Sequence, residues 1–290
     1  MRQEGQRRQR RQGGRVAEWQ GIGLLAVSAL LLSAAPHVAG AQSHEILLAT
    51  TTSVQDSGLL DGLLPIFQRD SGYTVKVIAV GSGQAMAIAR RGQADVILVH
   101  SPRDELKFVA DGYGVDRRAL MRDQFWVVGP PSDPAHIKGL PVVQAFAAIA
   151  RAKAPFLSRG DDSGTNVKEL ALWKAAGVSP SGSWYKESGQ GMGATDIMAN
   201  QLGAYTLTDD GTYLTNRAKM DLVILVQGDS VLINHYSVIR VNPTRFGHVN
   251  AAGALAFENF MTAPATQNMI GNFKKKAFGR SLYIPEAAGR

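Results

Sequence analysis

From residue 45 onward, short aliphatic or β-branched runs alternate with longer stretches in which apolar residues recur at helical spacing. Residues 45–49 (EILLA), 74–80 (TVKVIAV) and 94–99 (ADVILV) read as strands. In residues 57–72, Leu59, Leu60, Leu63, Leu64 and Phe67 line one helical face, and residues 84–91 form a second helix. Each of the first two strands runs through a polar turn into its helix. Residues 50–56 (TTTSVQD) follow the first strand, Gly81-Ser82-Gly83 follow the second, and the third ends in His100-Ser101-Pro102.

After a further apolar run, 125–128 (FWVV), the chain crosses Pro130, Pro131 and Pro134, a cluster that marks a connection rather than an element interior. The same logic then repeats. A short strand at 155–157 enters the polar turn 158–165 (SRGDDSGT) and a helix at 166–176 ended by Gly177. The Gly-rich turn 188–193 (SGQGMG) precedes a helix at 194–202. Strands follow at 204–207, 222–226 and 238–241, and a helix lies around 253–261. Strands alternating with helices predict an α/β fold with mostly parallel strands, here in two lobes, with the C-terminal segment returning to the first.

Composition sharpens this picture. The chain has 290 residues, 45% of them hydrophobic, which is enough for one large or two medium domains with real cores. The absence of cysteine excludes disulfides, thiol catalysis and thiolate metal sites. A net charge of +7 raises nucleic acid or an anionic membrane as partners, but the charge is unevenly placed. Residues 1–41 carry Arg2, Arg7, Arg8, Arg10, Arg11 and Arg15 against Glu4 and Glu18, which leaves 25 basic and 22 acidic residues for the rest. Behind the arginines stands an apolar run at 21–35, then Ala39 and Ala41 in a small-x-small pattern. Residues 1–41 are therefore expected to be a cleaved secretory signal peptide, since fifteen apolar residues fall short of the roughly 20 a membrane-spanning helix needs. With no cysteine behind the run there is no lipoprotein anchor, and the expected location is the periplasm.

The chemistry is carried by turns. Residues 50–53, 81–83 and 158–165 are rich in Ser, Thr and Gly, follow strands and open helices. At such ends the first backbone N–H groups lack intrahelical partners and the macrodipole places about half a positive charge, which suits oxyanions. Thr51, Thr52, Ser53, Ser82, Ser163 and Thr165 add hydroxyl donors, and Arg159 adds a counter-charge with bidentate geometry. Any one of these turns alone reads as an ordinary helix cap, but three together point to a ligand. Asp161 and Asp162 read as turn formers or a brace for Arg159. Enzymatic signatures are lacking: there is no GxxxxGK[ST], HExxH or GxSxG, and the six histidines show no metal-ligand spacing. Of these only His100 falls at a strand end near the turns. Trp126, Trp173 and Trp184 read as packing residues, and Lys274, Lys275 and Lys276 as a solvated face.

Four segments, LATTTSVQDSGLLDGLLPIF, GSGQAMAIARRGQADVILVHSP, FLSRGDDSGTNVKELALWKAAG and GMGATDIMANQLGAYTLTDDGTYL, together resemble the tungstate-binding proteins of tungstate ABC importers. The likeness spans nearly all of residues 44–285, and TTTS and SRGDDSGT are its most specific parts. Relatives of that group bind molybdate, phosphate or sulfate. The resemblance implies a type II periplasmic-binding-protein fold, with one lobe at 44–124 plus 236–290, the other at 125–235, and a two-strand hinge between them. It implies an interlobe oxyanion site formed by Thr52, Ser53, Ser82, Gly83, Arg159, Ser163, Gly164 and Thr165, with Thr51 beside them. The ligand is tungstate or molybdate, so metal enters only as oxyanion and no cofactor is needed. The implied partners are an ABC permease and its ATPase, with no nucleic acid, and the protein is a monomer and not an enzyme. The competing readings are a phosphate or sulfate binder, an oxyanion sensor, and an exported hydrolase of phosphate or sulfate esters. The hydrolase would need a nucleophile with a base, or a metal cluster, which the turns do not offer.

Overall fold

A computed structural model describes residues 44–287; the expected signal peptide at 1–41 lies outside them. In chain order the strands and helices are β1 (Glu45–Thr51), α1 (Thr52–Ser57), α2 (Leu59–Ser71), β2 (Thr74–Val80), α3 (Ser82–Arg90), β3 (Val96–Val99), α4 (Pro102–Ala110), β4 (Gly114–Gly129), α5 (Val142–Ala152), β5 (Phe156–Ser158), α6 (Gly164–Ala175), β6 (Tyr185–Glu187), α7 (Met192–Leu202), β7 (Thr206–Asp209), α8 (Asp210–Asn216), β8 (Val223–Val226), β9 (Ile233–Val241), α9 (Ala251–Thr262), α10 (Pro264–Asn272), α11 (Lys275–Phe278) and β10 (Ile284–Pro285). None of the described helices is long and apolar enough to cross a membrane.

Eight strands form one sheet in the order β10-β4-β9-β3-β1-β2, with β7 and β8 also paired to β4. β1 is parallel to β2 and β3, but β9 is antiparallel to both β3 and β4, and β4 is antiparallel to β7, β8 and β10. The expectation of mostly parallel strands is thus corrected to a mixed sheet. β4 and β9 carry the chain out of its first part and back again, and two strands that travel in opposite directions side by side pair antiparallel.

β4 is the element the hydrophobic pattern conceals. Only its last part was recognisable as a strand, because residues 114–124 include Arg117, Arg118 and Arg122. Two of these charges are absorbed by acids on neighbouring helices: Arg117 Nε meets Glu105 of α4 at 2.8 Å and Arg118 Nε meets Glu258 of α9 at 2.7 Å. Register shifts near Asp116, which has φ 52°, interrupt the alternation further. Residues 114–124 pair with β9, whereas 125–129 pair with β7 and β8, so a single strand serves two neighbourhoods.

The buried apolar side chains follow the same division. Two clusters draw on residues 46–121 and 236–283, around Leu48, Phe67, Phe257 and Tyr283 in one and Met86, Phe108 and Ile239 in the other. Two more draw on residues 125–232, around Phe146, Phe156 and Trp173 and around Trp126 and Tyr213. The turn 50–56 also differs from expectation. Its first two residues complete β1 and the rest forms α1, which ends at Gly58 with φ 76° before α2 begins.

At Gly129, the end of β4, an added Cβ would stand 2.5 Å from Cδ1 of Tyr205. That ring cannot yield, because its hydroxyl donates to Asp133 Oδ1 at 2.8 Å and accepts from Ala135 N at 2.9 Å. Gly129→Ala should therefore destabilise the fold by about 1–3 kcal/mol, as overpacking does, lowering Tm by about 2–4 °C per kcal/mol in a domain of this size. Calorimetry showing an unchanged Tm would contradict this rigidity.

Candidate functional site

Because β1, β2 and β3 are parallel, the helices that follow them start at one edge of the sheet. α1 starts behind Thr51, α3 behind Gly81 and α4 behind Ser101. The chain between 125 and 235 brings two more helix starts to this edge, α6 behind Ser163 and α7 behind Gly191. The starts meet in close contact. Gly83 N donates to Asp162 O at 3.2 Å, and a Cβ on Gly81 would lie 3.1 Å from Ser163 Cα. Gly164 packs on His100, and Gly191 packs on Thr52.

The expected site residues divide into caps and free donors. Thr51 caps α1, accepting from Val54 N at 3.5 Å, and its hydroxyl lies 3.1 Å from Ser53 Oγ. Ser163 caps α6, accepting from Asn166 N at 3.2 Å. Ser82 is buried, and its Oγ accepts from His100 N at 3.2 Å. Among the described residues, Thr52 Oγ1, Thr165 Oγ1 and Arg159 Nε are buried and have no hydrogen-bond partner. Arg159 pairs with Asp161 through Nη2, and Asp161 also accepts from Ser163 N at 3.2 Å. A buried donor without a partner costs about 1–3 kcal/mol, more when charged. Three such donors stand where the helix starts converge, Thr52 on the turn 50–53 and Arg159 and Thr165 on the turn 158–165. Beside the seam opens a groove of about 470 Å³ whose lining includes His100, Gly164, Arg103, Lys168 and Lys174.

Two features were not recognised from sequence. The first is the α7 start, which presents itself in the Gly-rich turn 188–193 but there lacks the hydroxyl density of the other turns. The second is a set of buried acids. Asp196 and Asp209 are fully buried, and the charge of Arg159 acts on both and on Asp56, which is exposed. Burial raises the pKa of all three. No spacing motif announces these acids, because they come from α1, α7 and β7.

His100 is held from behind. Asn234 Nδ2 donates to Asp123 Oδ1 at 2.8 Å and to Tyr236 Oη at 3.0 Å, so Asn234 Oδ1 is left to accept from His100 Nδ1 at 3.0 Å. Burial lowers the His100 pKa to about 4, so the ring is neutral at physiological pH with its proton on Nδ1. Among the described residues no group of three or more His, Asp or Glu side chains is arranged to hold a metal ion.

Residues 36–265 match the family model described as PBP superfamily domain. The tungstate-binding protein TupA of Peptoclostridium acidaminophilum is 48% identical over 246 residues, covering 84% of this chain and 86% of that protein. The solved structure of the tungstate ABC transporter from Geobacter sulfurreducens aligns with a TM-score of 0.73 at 48% identity, covering 79% of this chain and 98% of the other. The tungstate-binding protein TupA from Desulfovibrio alaskensis G20 aligns with a TM-score of 0.70 at 42% identity, covering 84% and 99%.

The buried acids carry a testable linkage. Burial keeps Asp196 protonated in the folded chain at pH values where the unfolded chain, with its pKa near 3.8, has lost the proton. The folded state then binds more protons, so this group costs stability as pH rises above 3.8 toward the folded pKa. Asp196→Asn removes that cost. The Tm of the variant minus that of the native chain should grow between pH 5 and pH 8, by at most about 1.4 kcal/mol of stability per pH unit. A difference that is flat with pH would mean that Asp196 is ionised in the fold.

Proposed function

The chain belongs to the PBP superfamily, and from that premise we propose that it is an extracytoplasmic solute-binding protein that captures tungstate, with molybdate as the alternative cargo, and delivers it to an ABC permease and its ATPase. The observation that carries the proposal is the convergence of unpartnered donors, Thr52 Oγ1, Thr165 Oγ1 and Arg159 Nε, at helix starts that meet across one seam. A tetrahedral dianion is costly to bury without dense donors. Two hydroxyls, one guanidinium and the helix-start N–H groups supply them without a metal or a nucleophile. The names of the relatives at 42–48% identity favour tungstate among the oxyanions.

The proposal divides the mature chain into a lobe of residues 44–124 plus 236–290 and a lobe of 125–235, hinged on β4 and β9. In its favour, the buried clusters fall on either side of that division, and β4 changes partners between Gln124 and Phe125. Thr52 belongs to the first lobe and Arg159 and Thr165 to the second, so an oxyanion between them binds the closed form more tightly than the open one and shifts the population toward closure. The location is the periplasm, reached through the signal peptide expected at 1–41, and the protein acts as a monomer with no catalytic residue.

Isothermal titration with tungstate, molybdate, phosphate and sulfate tests this. Tungstate or molybdate should bind more tightly than phosphate or sulfate, and folded protein that binds none of the four would end the proposal. Hydrogen bonds to a charged group contribute about 1.5–3 kcal/mol, and each 1.4 kcal/mol is about tenfold in affinity. Arg159→Ala should therefore weaken tungstate binding at least about tenfold, and an unchanged affinity would remove Arg159 from the site.

A further inference from the structure

The arginine of the candidate site stands among acids, yet only one of them touches it. Asp161 accepts from Arg159 Nη2 with one carboxylate oxygen and from Ser163 N, at the start of α6, with the other. Asp196, Asp209 and Asp56 lie within electrostatic reach of the same guanidinium without a hydrogen bond to it. Asp196 is fully buried and its Oδ1 has no partner among the described residues.

A guanidinium released from Asp161 has these carboxyl groups as alternative partners. We propose that Asp161 is a positioning residue for oxyanion capture: it fastens Nη2 of Arg159 to the start of α6, so that Nε stays free at the seam and the guanidinium does not collapse onto Asp196. The proposal rests on the oxyanion-binding reading above and adds a role to a residue that an anion site would be expected to exclude.

The loop is built to hold that carboxylate still. Gly160 has φ 63° and Asp162 has φ 54°, so left-handed residues flank Asp161 on both sides and fold its side chain back toward Arg159. Asp162 N donates to Asn166 Oδ1 at 3.2 Å, and Asp162 O accepts from Gly83 N at 3.2 Å, which fixes the loop to α6 and to α3 together. Asn166 in turn donates from Nδ2 to Ser158 Oγ at 3.1 Å, one residue before Arg159. The brace is therefore tied to two of the helix starts that meet at the seam, α3 and α6. A negative charge beside an anion site weakens binding by repulsion, and the gain from pre-orienting a long, flexible side chain must exceed that loss.

Two substitutions separate positioning from charge. Asp161→Asn keeps a carbonyl oxygen that can accept from Arg159 Nη2 or Ser163 N and removes the negative charge; Asp161→Ala removes charge and brace together. Tungstate affinity is measured by isothermal titration on native chain and both variants, after calorimetry has shown which of them fold. The expected result is that Asp161→Ala binds at least about tenfold more weakly than native and that Asp161→Asn binds at least about tenfold more tightly than Asp161→Ala. Repulsion as the sole role of Asp161 makes both variants tighter than native, and that result overturns the proposal. An Asn variant as weak as the Ala variant also overturns it. If Asp161→Ala does not fold, the Asn variant decides against native, and a loss of tenfold or more overturns the brace. Failure of the native chain to bind tungstate, molybdate, phosphate or sulfate strikes the oxyanion-binding reading itself and is thereby distinguished from failure of the brace.

Discussion

The site depends on backbone meeting backbone between helix starts. A Cβ at Gly83 would stand 2.7 Å from Asp162 O, and one at Gly164 would stand 2.6 Å from His100 O. These glycines are the second residue of α3 and the first of α6, so the chain places its smallest residue where two helix ends from distant parts of the sequence have to touch. Contact at this distance leaves no room for water between the ends. Charges and dipoles there interact through a lower effective dielectric than at a surface, which strengthens every N–H directed at an anion and raises the cost of any polar group left alone. The unpartnered hydroxyls of Thr52 and Thr165 belong to that same dry seam.

Behind the seam, the crossing strands are fastened by polar rather than apolar contacts. Asp123 of β4 and Asn234 of β9 are cross-strand partners, joined by Tyr236, whose hydroxyl donates to Asp123 Oδ2 at 2.9 Å. This network fixes His100 in one tautomer and leans its ring on Tyr236, with centroids 4.7 Å apart. It sits where β4 exchanges β9 for β7. Directional bonds tolerate a small rotation about one axis and oppose shear, whereas an apolar contact would permit sliding.

Much of this was legible in the chain, and the exceptions have physical causes. The three turns rich in Ser, Thr and Gly were readable because donor chemistry at a helix start is local: a strand, a few small residues and the following helix are contiguous in sequence. Arg159 was readable for the same reason. β4 was hidden because Arg117 and Arg118 break the alternation, and their justification, Glu105 and Glu258, lies on helices that the strand's own sequence does not mention. The direction of β9 was misjudged because strand pairing is not local. The start of α7 was visible as a Gly-rich turn, but its place beside Thr52 follows from tertiary packing alone. Asp196 and Asp209 look like surface acids in sequence and become buried neighbours of an arginine only in the fold.

Those acids pose the remaining electrostatic question, which is how an arginine surrounded by Asp56, Asp161, Asp196 and Asp209 offers positive charge to an anion. Fully ionised, the four carboxylates would outweigh one guanidinium and the helix ends combined, and the seam would be negative. Burial eases the conflict, because the desolvation that would make a buried carboxylate costly also raises its pKa and favours the neutral acid at Asp196 and Asp209. Asp161, with 20% of its side chain accessible, is the one paired directly with Arg159. The same burial therefore acts twice: it favours the neutral form of Asp196 and Asp209, and it strengthens the field of the arginine and the helix starts at the seam.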